Sequence, residues 1–201
     1  MRLPRTAHTD RPWRIHEIAG DFRVEDVWEL PTPGGPDDLA RLVEQFEKGW
    51  GQHEAASPAV RVLFAVRWKL GALLGWDKPA DGLGGRVPSL RDRLPEDLRA
   101  NARGSASGSP TFSTVYQTHD EWALETANRT VHGILHIGWV PDEDGAGGYH
   151  GRMAILVKPN GLLGALYMVG IKPFRHLGVY PAMLRGIGRA WQAGAGSGAA
   201  A

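Results

Sequence analysis

The sequence predicts an α+β protein, and three observations carry that reading. Between residues 112 and 159 apolar and polar residues alternate over four short runs separated by turn signals, the period of antiparallel strands. On either side, apolar residues recur three and four positions apart, the period of helices. The bulk fits one globular unit: 201 residues, 42% hydrophobic and 22% charged.

The first element is a strand. In FRVEDVWEL, residues 22–30, Phe22, Val24, Trp28 and Leu30 fall on one face and Arg23, Glu25 and Glu29 on the other. Asp26 sits on the apolar face, where an unpaired carboxylate is costly; it either pairs with an arginine such as Arg67 or Arg91 or acts in a pocket. After PTPGGP, Asp37 or Asp38 can cap a helix with the stripe Leu39, Leu42, Val43 and Phe46, stopped at Gly49. Ser57 and Pro58 start a second helix that runs to Gly75. Residues 77–110 are rich in Gly, Pro, Asp, Arg and Ser, with short helical turns at SLRDRL and PEDLRANA. Four strands follow, TFSTVYQT, EWALETANR, TVHGILHIGWV and GYHGRMAILVKP, joined at HD, near Asn128 and by PDEDGAGG. Asn160 can cap the helix GLLGALYMVGI, Pro173 interrupts it, and a last helix carries Phe174, Leu177, Leu184, Ile187 and Trp191. The expected domain is 10–192, with a disordered Gly/Ala/Ser tail over 193–201.

His132 and His136 stand four apart. On a strand that spacing spans roughly 13 Å. Ligands of one zinc lie about 2.0–2.1 Å from it, so the two cannot chelate together and no metal is expected. The cleanest partition puts His132, Ile134, His136, His150, Arg152 and Ala154 on one face. Val131, Leu135, Ile137, Trp139, Tyr149, Met153, Ile155 and Val157 then share the other, joined by Phe112, Tyr116, Trp122 and Leu124. Ser113, Gln117, Glu125 and Arg129 point away from them. The histidines then decorate an outer, solvated face, where exchange for glutamine costs less than about 1 kcal/mol. The apolar face, with its polar-tipped rings, is either a packed core or the wall of a small-molecule pocket. The pocket reading assigns Asp26, Trp28, Tyr116, Trp122, Thr126, Trp139, Tyr149 and Met153 to ligand binding.

A net charge of +1 offers no footprint for nucleic acid. The absence of cysteine excludes disulfides, zinc-thiolate sites and thiol nucleophiles. No signal peptide or membrane span is evident, so a cytoplasmic protein is expected. HEAAS and HEIAG lack the second histidine of the zinc-protease motif, GLGGRV lacks the third glycine of a dinucleotide loop, and GSASGS lacks the serine of a nucleophile elbow. No cofactor is implied. Proton transfer needs only one placed His, Asp or Tyr and leaves no spacing signature.

DFRVEDVWELPTPGG, RWKLGALLGWD, RVPSLRDRLP, NRTVHGILHIGWV and ILVKPNGLLGALYMVGIKPFRHLGVYPAML together resemble the stand-alone actinobacterial type of the DUF2867 family, over roughly residues 10–192. The resemblance implies the helix-grip fold of the START/Bet v 1-like (SRPBCC) superfamily, a curved antiparallel sheet wrapped around a C-terminal helix. It also implies a cavity that binds a small hydrophobic or aromatic molecule. Two alternatives stand beside that function: a cyclase- or dehydratase-type enzyme using a cavity Tyr, Asp or His, and an interaction protein docking through His132, His136, His150 and Arg152. The family contributes no catalytic residues. Fusion of related domains to dehydrogenase-like modules leaves open a reductase partner, beside a homodimer.

Overall fold

The computed structural model describes residues 1–49, 82–85, 87–101, 112–143, 147–161 and 180–198. It is α+β, with one six-stranded antiparallel sheet. The strands are β1 (Arg2–Leu3), β2 (Arg23–Glu29), β3 (Ser113–Gln117), β4 (Glu121–Ala127), β5 (Val131–Pro141) and β6 (Tyr149–Pro159), in the order β1-β2-β6-β5-β4-β3. The helices are α1 (Thr6–Thr9), α2 (Ile15–Ile18), α3 (Leu39–Gly49), α4 (Glu96–Asn101) and α5 (Tyr180–Gly198), with a 3₁₀ turn at Leu90–Arg93. The expected helix over 58–75, the one after Asn160 from residue 162 on, and the positions of Arg67, Phe174 and Leu177 lie outside the described residues.

Local chemistry explains most boundaries. The β4–β5 turn closes because the Asn128 side-chain oxygen accepts from the backbone of Thr130 and Val131, at 2.9 and 3.0 Å. The Ser89 hydroxyl accepts from the Arg91 N–H and starts the 3₁₀ turn. The stripe of α3 is buried as expected at Leu39, Leu42, Val43 and Phe46. The Asp38 carboxylate, however, accepts from the Gly35 N–H. Helix α5 continues to Gly198, past Gln192, where the sequence suggests an end.

Both faces of the sheet are covered, which changes the meaning of the face partition. On one side α3 and α5 bury Trp28, Trp122, Leu124, Ile137, Trp139 and Met153. Arg41 and Gln45 of α3 tie the two helices together by donating to the Trp191 and Ile187 carbonyls at 2.7 and 3.0 Å. On the other side, Trp13, Ile15 and Ile18 of the N-terminal segment join Leu90, Leu94 and Leu98 over Ala123, Ile134, Ala154 and Leu156. Gly138 admits this layer: a Cβ there would lie 2.5 Å from the Trp13 ring. The expected solvated face is therefore a second core, and His132, His136 and Arg152 are buried in it.

Two β-bulges correct the strict alternation read from the sequence. One, between Val24 and Asp26, leaves Phe22 and Val24 on the N-terminal layer and turns Asp26, Trp28 and Leu30 toward the helices. The other, between Thr114 and Tyr116, moves Tyr116 off the aromatic face, where it was expected beside Trp122, onto the opposite one. Among the described residues no helix is long and apolar enough to cross a membrane.

Candidate functional site

The sheet face beneath α3 and α5 gathers seven of the eight expected ligand-binding residues. Trp122 and Met153 are fully buried, with Trp28 and Trp139 nearly so, while Tyr149 and Thr126 stay half-buried. The rings are positioned by the helices: Phe46 meets Trp122 at 5.9 Å, Tyr180 meets Trp28 at 5.1 Å and Trp191 meets Trp139 at 6.0 Å between centroids. Backbone carbonyls take the indole N–H groups, Gly35 that of Trp139 and Pro33 that of Trp191, at 2.8 and 2.9 Å. Asp26 is buried at the margin of this face, 3.5 Å from Arg2 of β1. Phe112, Ile155, Met183 and Leu184 line the same cluster and remain partly open to solvent. Tyr116 is the residue that does not join them.

The opposite face carries ionisable chemistry that the sequence reading missed. His136 Nε2 lies 3.0 Å from Glu121 Oε2, His8 Nε2 lies 3.1 Å from His136 Nδ1, and His16 Nε2 lies 3.2 Å from His8 Nδ1. Glu121 also accepts from the Tyr116 hydroxyl at 2.7 Å and from the Arg14 N–H at 2.9 Å. An ionised Glu121 can only accept, so His136 donates to it through Nε2. Three imidazoles thus run in series from half-buried His16 through His8 and His136 to buried Glu121.

A second pair repeats the geometry. Glu125 accepts from His132 Nε2 at 2.9 Å, from the Leu90 N–H at 3.0 Å and from the Ser89 hydroxyl. The register explains the repeat: Glu121 stands opposite Gly138 and Glu125 opposite Ile134, so each glutamate reaches a histidine diagonally across the β4–β5 ladder. Burial alone would raise both glutamate pKa values, but the hydrogen bonds prevail and hold both below the ordinary carboxyl range. The His8 pKa is lowered as well, to about 2, which keeps it neutral, by burial first and then by His136, His16 and Arg152. Burial, and then the Glu121 charge, push the Tyr116 phenol far above its usual range. The signal that could have found these groups is the spacing itself: two glutamates and two histidines, each four apart, on paired strands. His8 and His16 give no such signal, because only the folded N-terminal segment brings them to the sheet.

Among the described residues no group of three or more His, Cys, Asp or Glu is arranged to hold a metal ion. The imidazole contacts are hydrogen bonds in series, with His8 using different nitrogens toward its two neighbours. Comparison with curated proteins and with solved structures finds no match. A family model described as "Protein of unknown function (DUF2867)" matches residues 18–182. That span runs from the end of α2 through β2–β6 to the start of α5, most of the chain, and the chain accordingly belongs to the DUF2867 family.

Proposed function

We propose that this chain is a helix-grip protein of the START/Bet v 1-like kind that binds a small hydrophobic or aromatic molecule against the aromatic face of its sheet. The observation that carries the reading is the composition of that face. Buried Trp28, Trp122, Trp139 and Met153 are bordered by the half-open side chains Phe112, Tyr149, Ile155, Met183 and Leu184, with one buried carboxylate, Asp26, at the edge. Small-molecule sites have this build, mostly apolar with few polar groups. The strand order adds support, because β2, ahead of the helices, pairs with the last strand β6, and α5 lies across the face.

The two alternatives are less well supported. Of the cavity groups an enzyme could use for proton transfer, Tyr116 lies on the other face, where its hydroxyl donates to Glu121, which leaves Tyr149 and Asp26. A docking surface built on His132, His136 and Arg152 is covered by the chain's own N-terminal segment and by residues 87–98.

An environment-sensitive hydrophobic dye should bind the native protein saturably, at roughly one to one, and raise its Tm by mass action. Thr126→Phe should weaken dye binding more than stability if the added ring enters open space. A filled core behaves oppositely: no native-state binding, and about 1–3 kcal/mol lost to overpacking. That result would refute the reading.

A further inference from the structure

A cleft of about 450 Å³ opens at the edge of the sheet, between the segment after β2 and the β5–β6 connection. Leu3, Leu30, Pro31 and Pro33 make one wall apolar, and β6 supplies two basic side chains, His150 and Arg152. Arg152 is only 6% exposed. Its Nη1 donates to the Ala7 carbonyl at 2.9 Å, and its Nε has no hydrogen-bond partner among the described residues. Among the described residues the carboxylate within ion-pair range is Glu143, 3.9 Å away on a side chain that is 88% exposed, and Glu29 stands opposite Arg152 across the β2–β6 ladder. A guanidinium offers five N–H donors and keeps its charge, so this buried cation is under-compensated. Beside it, His150 gives Nδ1 to Asp142, and its Nε2 is buried with no partner among the described residues.

We propose that this cleft is a binding site for a small organic monocarboxylate, whose carboxylate is received by Arg152 and whose apolar body lies along Leu30, Pro31 and Pro33. The volume falls in the range of small-molecule pockets. A planar carboxylate matches the guanidinium fork in geometry and supplies the missing charge. Three acidic side chains line the rest of the cleft and set the charge limit. Asp142 is engaged by His150, Glu143 stands in water, and Glu29 is half-buried. Together they disfavour a multiply charged anion such as phosphate. Arg152 lies on the opposite side of β6 from Met153, while Leu30 is shared with the aromatic face.

Calorimetric titration of the full chain with hexanoate and phenylacetate, beside hexylamine and inorganic phosphate, tests the proposal. At least one carboxylate should bind saturably at one to one, and Arg152→Met should weaken it by about tenfold or more, as for loss of a charged hydrogen bond. Phosphate and hexylamine should bind no better than to the variant. Arg152→Met should keep or raise the wild-type Tm, since removing an under-compensated buried charge is neutral or stabilising. Should that variant not fold, the wild type decides: the Arg152 Nε–H resonance should move with added carboxylate and stay still with hexylamine. Absence of saturable carboxylate binding, equal binding by Arg152→Met, a preference for phosphate or amine, or an unmoved Arg152 resonance would each overturn it.

Discussion

Glu121 receives hydrogen bonds from three places far apart in the chain: the Tyr116 hydroxyl on β3, His136 on β5 and the backbone of Arg14 before α2. Glu121→Ala leaves all three buried donors without an acceptor, and urea unfolding should report a loss of about 3–5 kcal/mol. A loss under 1 kcal/mol would mean that water replaces the carboxylate. The same burial overturns the expected tolerance of His136 to glutamine, because His136 is 0% exposed and bonded at both nitrogens. Acid should act here first. The His8 pKa is lowered from 6.5 to about 2 in the folded protein, so the unfolded state binds the extra proton. Stability is therefore complete above pH 6.5 and declines as pH falls below it, by about 2 kcal/mol from this one group by pH 5. Glu121, with its pKa lowered from 4.5, adds a further loss as pH falls below that value. Thermal unfolding at pH 7.5, 6.5 and 5.5 should show the decline, and His8→Phe should flatten its upper part. A Tm unchanged over that range would contradict the burial of a neutral His8.

At the scale of elements, strands and helices were legible wherever side chains repeat with a period. TVHGILHIGWV is the strand β5, and the partition of His132, Ile134 and His136 from Leu135, Ile137 and Trp139 holds in the structure. The bulges were not legible. An extra residue at Val24–Asp26 or Thr114–Tyr116 leaves composition unchanged while reversing every later side chain, and this sent Tyr116 to the wrong face. Nor was the N-terminal layer legible, because α1 and α2 are four residues each and carry no periodic signal. Only Gly138 hints at it, as the position in β5 where a neighbouring ring comes close. Gly138→Ala should cost about 1–3 kcal/mol by overpacking against Trp13. In a double-mutant cycle with Trp13→Ala most of that cost should disappear, and purely additive losses would show that Trp13 does not rest there.

At the scale of the whole molecule, the described residues form a sheet covered on both faces, and of their candidate sites the sequence exposed only the aromatic one. The Arg152 cleft and the histidine chain depend on contacts between distant segments, Ala7 with Arg152 and His8 with His136, which no local pattern records. The seam between β2 and β6 has the same character. Strands β3 to β6 follow one another as hairpins, but β2 pairs with β6, joining Arg23 to Val157. During synthesis at ~5–20 residues per second, β2 leaves the ribosome roughly 7–30 seconds before its partner exists. Through that interval Trp28 and Asp26 stand on an open strand edge, the kind that templates pairing with another chain. The hazard of misassembly is thus concentrated in one waiting strand, and a nascent chain stalled before residue 149 would expose it indefinitely.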